Sequence, residues 1–221
     1  MSQVKRTALV LGANGLIGEF VVDILLKNVD YETVYAVSRK GIAKDDRKLV
    51  QILADTENIA DKIKDVVVDD FFSCIGSTKA KTPDKAVYYK IDHDYPVKTA
   101  KFLRENGCKH ITLVSSMGAD ATSKNFYLKL KGETEQSIID LALQSTFIFQ
   151  PALIIGKRKE RRTLEAFAQK ISPLFDALLF GSLQKYRSIR AETIAKAMVN
   201  ATQSGQTGVH IYKTTEIKEL A

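Results

Sequence analysis

A doubly wound parallel sheet of about seven strands, an α/β fold with a small C-terminal lobe, is predicted by three features of the sequence. Short apolar runs alternate with amphipathic segments from end to end. Three glycines at three-residue spacing, Gly12, Gly15 and Gly18 in TALVLGANGLIGEF, follow the first apolar run and open a helical stripe of Leu16, Ile17, Phe20, Val21, Ile24 and Leu25. The 221 residues, 45% hydrophobic and 27% charged, suit one globular domain better than two. We therefore expect a single domain over 1–221, with 152–205 forming a small substrate-side lobe.

The elements follow from periodicity and punctuation. Strands are expected at Thr7 to Leu11, Thr33 to Val37, Val50 to Leu53, Val66 to Cys74, Ile111 to Ser115, Phe147 to Gln150 and Val209 to Tyr212. Pro96 belongs in the first turn of a helix that stops at Asn106 and Gly107. A second helix should run from Tyr127 to Leu143, a third from Thr163 to Phe180 with a break at Pro173, and a fourth from Ala191 to Ala201.

Several function classes fall away. Apolar runs such as ALLF at Ala177 to Phe180 are far shorter than the roughly 20 residues of a membrane span. Two cysteines, Cys74 and Cys108, beside predicted strands suit reduced thiols. With no secretory pattern at the N-terminus, the expected compartment is the cytoplasm. The net charge of +7 is spread along the chain, so no nucleic acid is expected. The one dense basic run, Lys157 to Arg162, reads as a solvated loop or as a contact for an anionic substrate or protein partner.

The glycine turn carries the first functional reading. One glycine lets the chain turn, the next lets a pyrophosphate approach, and the third lets helix and strand pack closely. The helix start then offers free N–H groups to the phosphate. At the end of the second strand, Val37 and Ser38 are followed by Arg39 and Lys40, with no acid to meet a ribose 2′-hydroxyl. Two cations suit a 2′-phosphate, which favours NADP(H) over NAD(H).

The reaction centre is expected in ITLVSSMGADATSKNFYLKLKGETE. There a strand ends in Ser115 and Ser116, and Tyr127 precedes Lys131 by one helical turn. A nearby ammonium favours the ionised phenol, which makes a tyrosine a usable proton exchanger. Tyr127 is the only one of eight tyrosines with lysine four residues on, and its place after the two serines gives the pair its meaning. His93, between Asp92 and Asp94, reads as a capping or surface residue more than a substrate contact. No spacing of His, Cys and carboxylates suggests a metal site.

These residues resemble the short-chain dehydrogenase/reductases, in their atypical NAD(P)-binding branch with the Rossmann fold. Within it the likeness is to the Tat-interacting-protein type of oxidoreductase and its epimerase-like bacterial relatives. It is densest in FSCIGSTKAK, KIDHDYPVKTAKF, CKHITLVSSMGAD and FYLKLKGETE. The resemblance implies cofactor contacts at Gly12, Asn14, Gly15, Leu16, Ile17 and Gly18, and a 2′-phosphate contact at Arg39 with Lys40. It implies an adenine contact at Asp55, a ribose-side loop at Ile75 and Gly76, and a carboxamide turn from Pro151 to Leu153. Tyr127 and Lys131 match the proton donor and ribose lysine, with Ser116 or Ser115 assisting. Gln150 stands where sugar-nucleotide epimerases carry arginine.

The expected function is hydride transfer between NADP(H) and a small carbonyl or alcohol substrate, in a monomer or homodimer. The alternatives are an NADP(H)-sensing binding protein with little catalysis, and a nucleotide-sugar epimerase or dehydratase.

Overall fold

The computed structural model describes residues 5–78, 80–156 and 187–221. The helix expected over Thr163 to Phe180 and the basic run Lys157 to Arg162 lie outside the described residues. Strands β1 (Arg6–Leu11), β2 (Tyr31–Ser38), β3 (Leu49–Leu53), β4 (Asp70–Ser73), β5 (His110–Val114), β6 (Ser145–Gln150), β7 (Ile154–Ile155), β8 (Ile189–Arg190) and β9 (Gly208–Lys213) are joined mostly by helices. Seven of them form one parallel sheet in the order β3-β2-β1-β4-β5-β6-β9, and β7 pairs with β8 apart from it. The chain builds outward from β1 to β3, returns to β4 beside β1, and builds outward the other way. That reversal opens a crevice at the carboxyl ends of β1 and β4, where such sheets hold ligands.

Both faces of the sheet are covered, which is why its central strands read as unbroken apolar runs. Successive side chains of β1 point to opposite faces. Ala8 and Val10 join the core under α1 (Gly18–Lys27), while Leu9 and Leu11 join the core on the other face. That second face is covered by α2 (Ile59–Lys62) and α4 (Tyr95–Glu105) and receives Phe71, Ile111 and Leu113. Between α2 and α4 the chain forms α3 (Lys85–Tyr89), and beyond them α5 (Phe126–Ile139) carries the expected tyrosine and lysine.

Three boundaries differ from expectation. The strand expected over Val66 to Cys74 is confined to Asp70–Ser73. Val66 instead closes the α2 turn through Ile63 O, and the Asp69 carboxylate takes the Thr7 N–H at 2.8 Å. Helix α5 ends at Ile139, short of Leu143, because Ala142 adopts a φ of 50°. Of the segment expected as a substrate-side lobe, the described helix α6 (Ala191–Gln203) belongs to the sheet's own layer. Its Ile194, Ala195, Ala197 and Met198 are fully buried in the core beside α1. The chain ends with α7 (Thr214–Leu220), whose Ile217 reaches the same core.

Candidate active site at the crevice between β1 and β4

The glycine turn is fixed by backbone bonds. Gly12 N and Ala13 N both donate to Val37 O, at 3.0 and 3.1 Å, so the turn is tied to the end of β2. Gly12 has a φ of 82°, which a side chain would strain, and a Cβ there would sit 3.1 Å from the Cys74 and Ile75 backbone. A Cβ on Gly18 would lie 2.2 Å from Gly12 O. Helix α1 therefore starts directly against the turn. Its N-cap, Ile17, supplies no side-chain cap, and Glu19 N in the first turn donates to Gly15 O at 3.0 Å. Asn14 is exposed, whereas Ile17 is buried and offers the site only its backbone. Leu16 packs against Gly156 beyond β7.

Arg39 and Lys40 follow β2 with exposed side chains and form no ion pair with a described residue. Their loop is held without using them. Ser38 Oγ donates to Lys40 O at 2.5 Å, and Gln51 both accepts from Ile42 N and donates to Ile42 O. Asp55 Oδ1 accepts from Glu57 N and Asn58 N, closing the turn ahead of α2. The buried Tyr95 phenol feels the charges of both Arg39 and Asp55. Burial, then Asp55, push its pKa up to about 12 against the opposing pull of Arg39.

The second half of the site is built on α5. Asn125 caps its start, accepting from Tyr127 N at 2.9 Å and Leu128 N at 3.2 Å. Tyr127 is half-buried, its ring 6.5 Å from that of Tyr88. One turn on, Lys131 is buried and its ammonium lies 3.0 Å from Asp92 Oδ2. Burial works against that charge, but Asp92, with Tyr127 and Glu135, holds the lysine pKa above its ordinary value. Gly76 sits over this pair: a Cβ there would be 3.6 Å from Asp92 Oδ2 and 3.8 Å from Lys131 Nζ. The structure thus brings Ile75, Gly76 and Lys131 to one place at the end of β4.

The two serines part company. Ser115 is buried and its hydroxyl donates to Glu135, whose carboxylate also accepts from Gln150 Nε2 at 3.0 Å on each oxygen. Burial raises the Glu135 pKa. Gln150, where an arginine was the alternative, is the partner of this buried acid. Ser116 is half-buried, its hydroxyl donating to Met117 O at 3.4 Å and its carbonyl accepting from Ala119 N. Pro151 is buried, its carbonyl accepting from Met117 N, while the Leu153 side chain is exposed and its carbonyl accepts from Ile189 N. His93 is engaged on all sides: Nδ1 pairs with Asp94, Nε2 with Ser137, and the ring lies 4.5 Å from that of Tyr89. Burial raises the Cys74 thiol pKa, so it behaves as a core group beside the turn.

Sequence reasoning missed Asp92. The signal was the pair of acids flanking His93 just before Pro96, and attention to the histidine obscured the residue that faces inward.

A crevice at the carboxyl ends of β1 and β4, floored by a glycine turn and walled by a buried lysine, is the candidate dinucleotide-binding site. The chain belongs to the NAD(P)H-binding family, whose model matches residues 12–204. Among its curated relatives is the mitochondrial protein FMP52 of Debaryomyces hansenii, 30% identical over 97% of both chains. FMP52 of Candida albicans is 33% identical over 90% of this chain and 89% of its own. These relatives are named FMP52, not Tat-interacting protein, so membership stands at the level of the NAD(P)H-binding family. They are also named mitochondrial, which overturns the expectation of a cytoplasmic protein.

Solved structures share the fold at low identity. A Bordetella bronchiseptica enzyme, WbmH in complex with NAD+, superposes with a TM-score of 0.72 at 16% identity, over 97% of this chain and 79% of that one. The UDP-glucose 4-epimerase of Thermotoga maritima gives 0.70 at 17%, over 96% and 80%. Among the described residues no helix is long and apolar enough to cross a membrane.

Proposed function

We propose that the protein is an NADP-dependent oxidoreductase of the short-chain type, acting on a small carbonyl or alcohol. The observation that carries the reading is the placement of Tyr127 one turn before Lys131, with Lys131 buried under the Gly76 loop at the crevice. The cradle fits a dinucleotide: Gly12 and Gly18 have no room for side chains, and the start of α1 has no side-chain cap. Backbone donors there would hold the pyrophosphate, Arg39 with Lys40 the 2′-phosphate, and Lys131 the ribose hydroxyls. Asp55 Oδ2, the oxygen not used in the turn ahead of α2, would meet the adenine amine. A bound nicotinamide supplies or takes the hydride.

The rest is the work of this chain. Tyr127 gives a proton to the carbonyl oxygen or removes one from the alcohol, with Lys131 one helical turn further along α5. Ser116, rather than the engaged Ser115, is the hydroxyl available to orient that oxygen. Relatives named mitochondrial and the exposed cations after β2 are compatible with this reading.

NADPH with a panel of aldehydes and ketones tests it. Turnover should appear, and Tyr127→Phe should abolish it while NADPH still raises the melting temperature. Turnover that survives Tyr127→Phe would overturn the assignment. Cofactor binding without turnover on a broad panel would favour the sensing alternative.

A further inference from the structure

A buried lysine needs an anion, and the anion here is delivered by an irregularity in the chain. Between α3 and α4, residues Lys90–Asp94 form a π turn in which Tyr95 N donates to Lys90 O, five residues back. Such one-residue insertions recur where a side chain must be re-aimed toward a site. Pro96 follows and has no N–H to give to the carbonyl four residues back, that of Asp92. Thr134 Oγ1, from α5, approaches that carbonyl instead at 3.3 Å. The result is that Asp92 points inward while His93 lies against Tyr89 and Ser137.

Each oxygen of Asp92 then holds a different part of the site. Oδ1 accepts from Ser77 N at 2.6 Å, anchoring the loop after β4, and Oδ2 lies 3.0 Å from Lys131 Nζ. Both side chains of the ion pair are almost wholly buried, at 0% and 7% exposed. We propose that Asp92 is a positioning residue for the cofactor. It keeps Lys131 charged in a buried position and fixes the Ile75 to Ser77 loop to that same ammonium. The assignment rests on Lys131 being the ribose-binding lysine of the proposed function. The other groups facing the pair are Tyr127 and Glu135 on α5, and Tyr88 on α3 faces Asp92.

Asp92→Asn isolates the charge, since its amide oxygen can still accept from Ser77 N. Without its anion, Lys131 loses its proton at lower pH, because burial is then opposed by Tyr127 and Glu135 without Asp92. NADPH binding, followed by the cofactor's own fluorescence, should vary little between about pH 6 and about pH 9 in the unsubstituted protein. In Asp92→Asn it should weaken roughly tenfold across that span. A second readout needs no cofactor. Asp92→Asn should lower the melting temperature, and the double variant Asp92→Asn, Lys131→Met should recover part of that loss, because no buried charge is left unpaired. Parallel pH profiles with additive melting losses would overturn the role of Asp92 and leave the cofactor site standing. No NADPH binding by the unsubstituted protein would overturn the cofactor reading, and this role with it.

Discussion

Arg39 is the residue on which the choice of cofactor turns. It is exposed, it closes β2 beside the glycine turn, and no described acid neutralises it. A hydrogen bond to a charged group contributes about 1.5–3 kcal/mol, so Arg39→Ala should weaken NADPH binding by roughly 10- to 100-fold. NADH, with no 2′-phosphate, should bind as before. Isothermal titration with both cofactors makes the comparison, and equal losses for the two would remove Arg39 from the phosphate site. The serines show how far residue reasoning reaches. Their strand end was readable from the apolar run before them, but which hydroxyl is taken by a buried acid was not, because that depends on Glu135 and Gln150, 20 and 35 residues away along the chain.

At the scale of the element, the turn between β1 and α1 has the least tolerance. A methyl group on Gly18 would meet the backbone oxygen of Gly12 at 2.2 Å, and both partners are main chain, so neither can swing aside. Gly18→Ala should therefore cost about 1–3 kcal/mol of stability and displace the start of α1 from the phosphate position. Urea unfolding and an NADPH titration on one preparation check both effects; a variant with unchanged stability would mean the turn relaxes freely. This element was legible in the sequence because all its determinants are local: a strand, three glycines and a helical stripe. The seven sheet strands were legible for the same reason, being short apolar runs, although the edge strands β3 and β9 are largely exposed. The π turn before α4 was not, since Pro96 announces a helix start but not the extra residue that precedes it. Nor was the pairing of β7 with β8, two residues each, which depends on segments 33 residues apart.

At the scale of the whole molecule, the two ends of the sheet do different work. The site occupies the carboxyl ends of the strands, while a buried polar cluster closes the opposite end. Arg6 opens β1, Tyr31 opens β2 and Asp70 opens β4. Arg6 pairs with Asp70 and donates to Thr202 O at 2.8 Å on α6, and Tyr31 donates to Asp70 at 2.7 Å. Three strands and the last long helix are thereby stitched together by one carboxylate. Burial raises the Asp70 pKa from 3.8 to about 6, in spite of the opposing Arg6 and Tyr31. The folded chain then holds this proton more tightly than the unfolded chain does. Stability from this group is complete below the unfolded pKa and is lost as pH rises toward about 6. The loss amounts to about 3 kcal/mol at 1.36 kcal/mol per pKa unit. Asp70→Asn lacks the titrating group and will be less stable overall, since an amide has one acceptor oxygen where the carboxyl meets Arg6 and Tyr31 with two. Its unfolding free energy should nevertheless lack this fall between about pH 4 and about pH 6, so the gap to the unsubstituted protein narrows by about 3 kcal/mol over that window. Urea unfolding at pH steps across it measures the gap, and curves that stay parallel would show that Asp70 is ionised in the fold throughout. Because the cluster lies at the far end of the sheet from Gly12, NADPH affinity in the folded variant should be unchanged, which separates loss of the stitch from damage to the site.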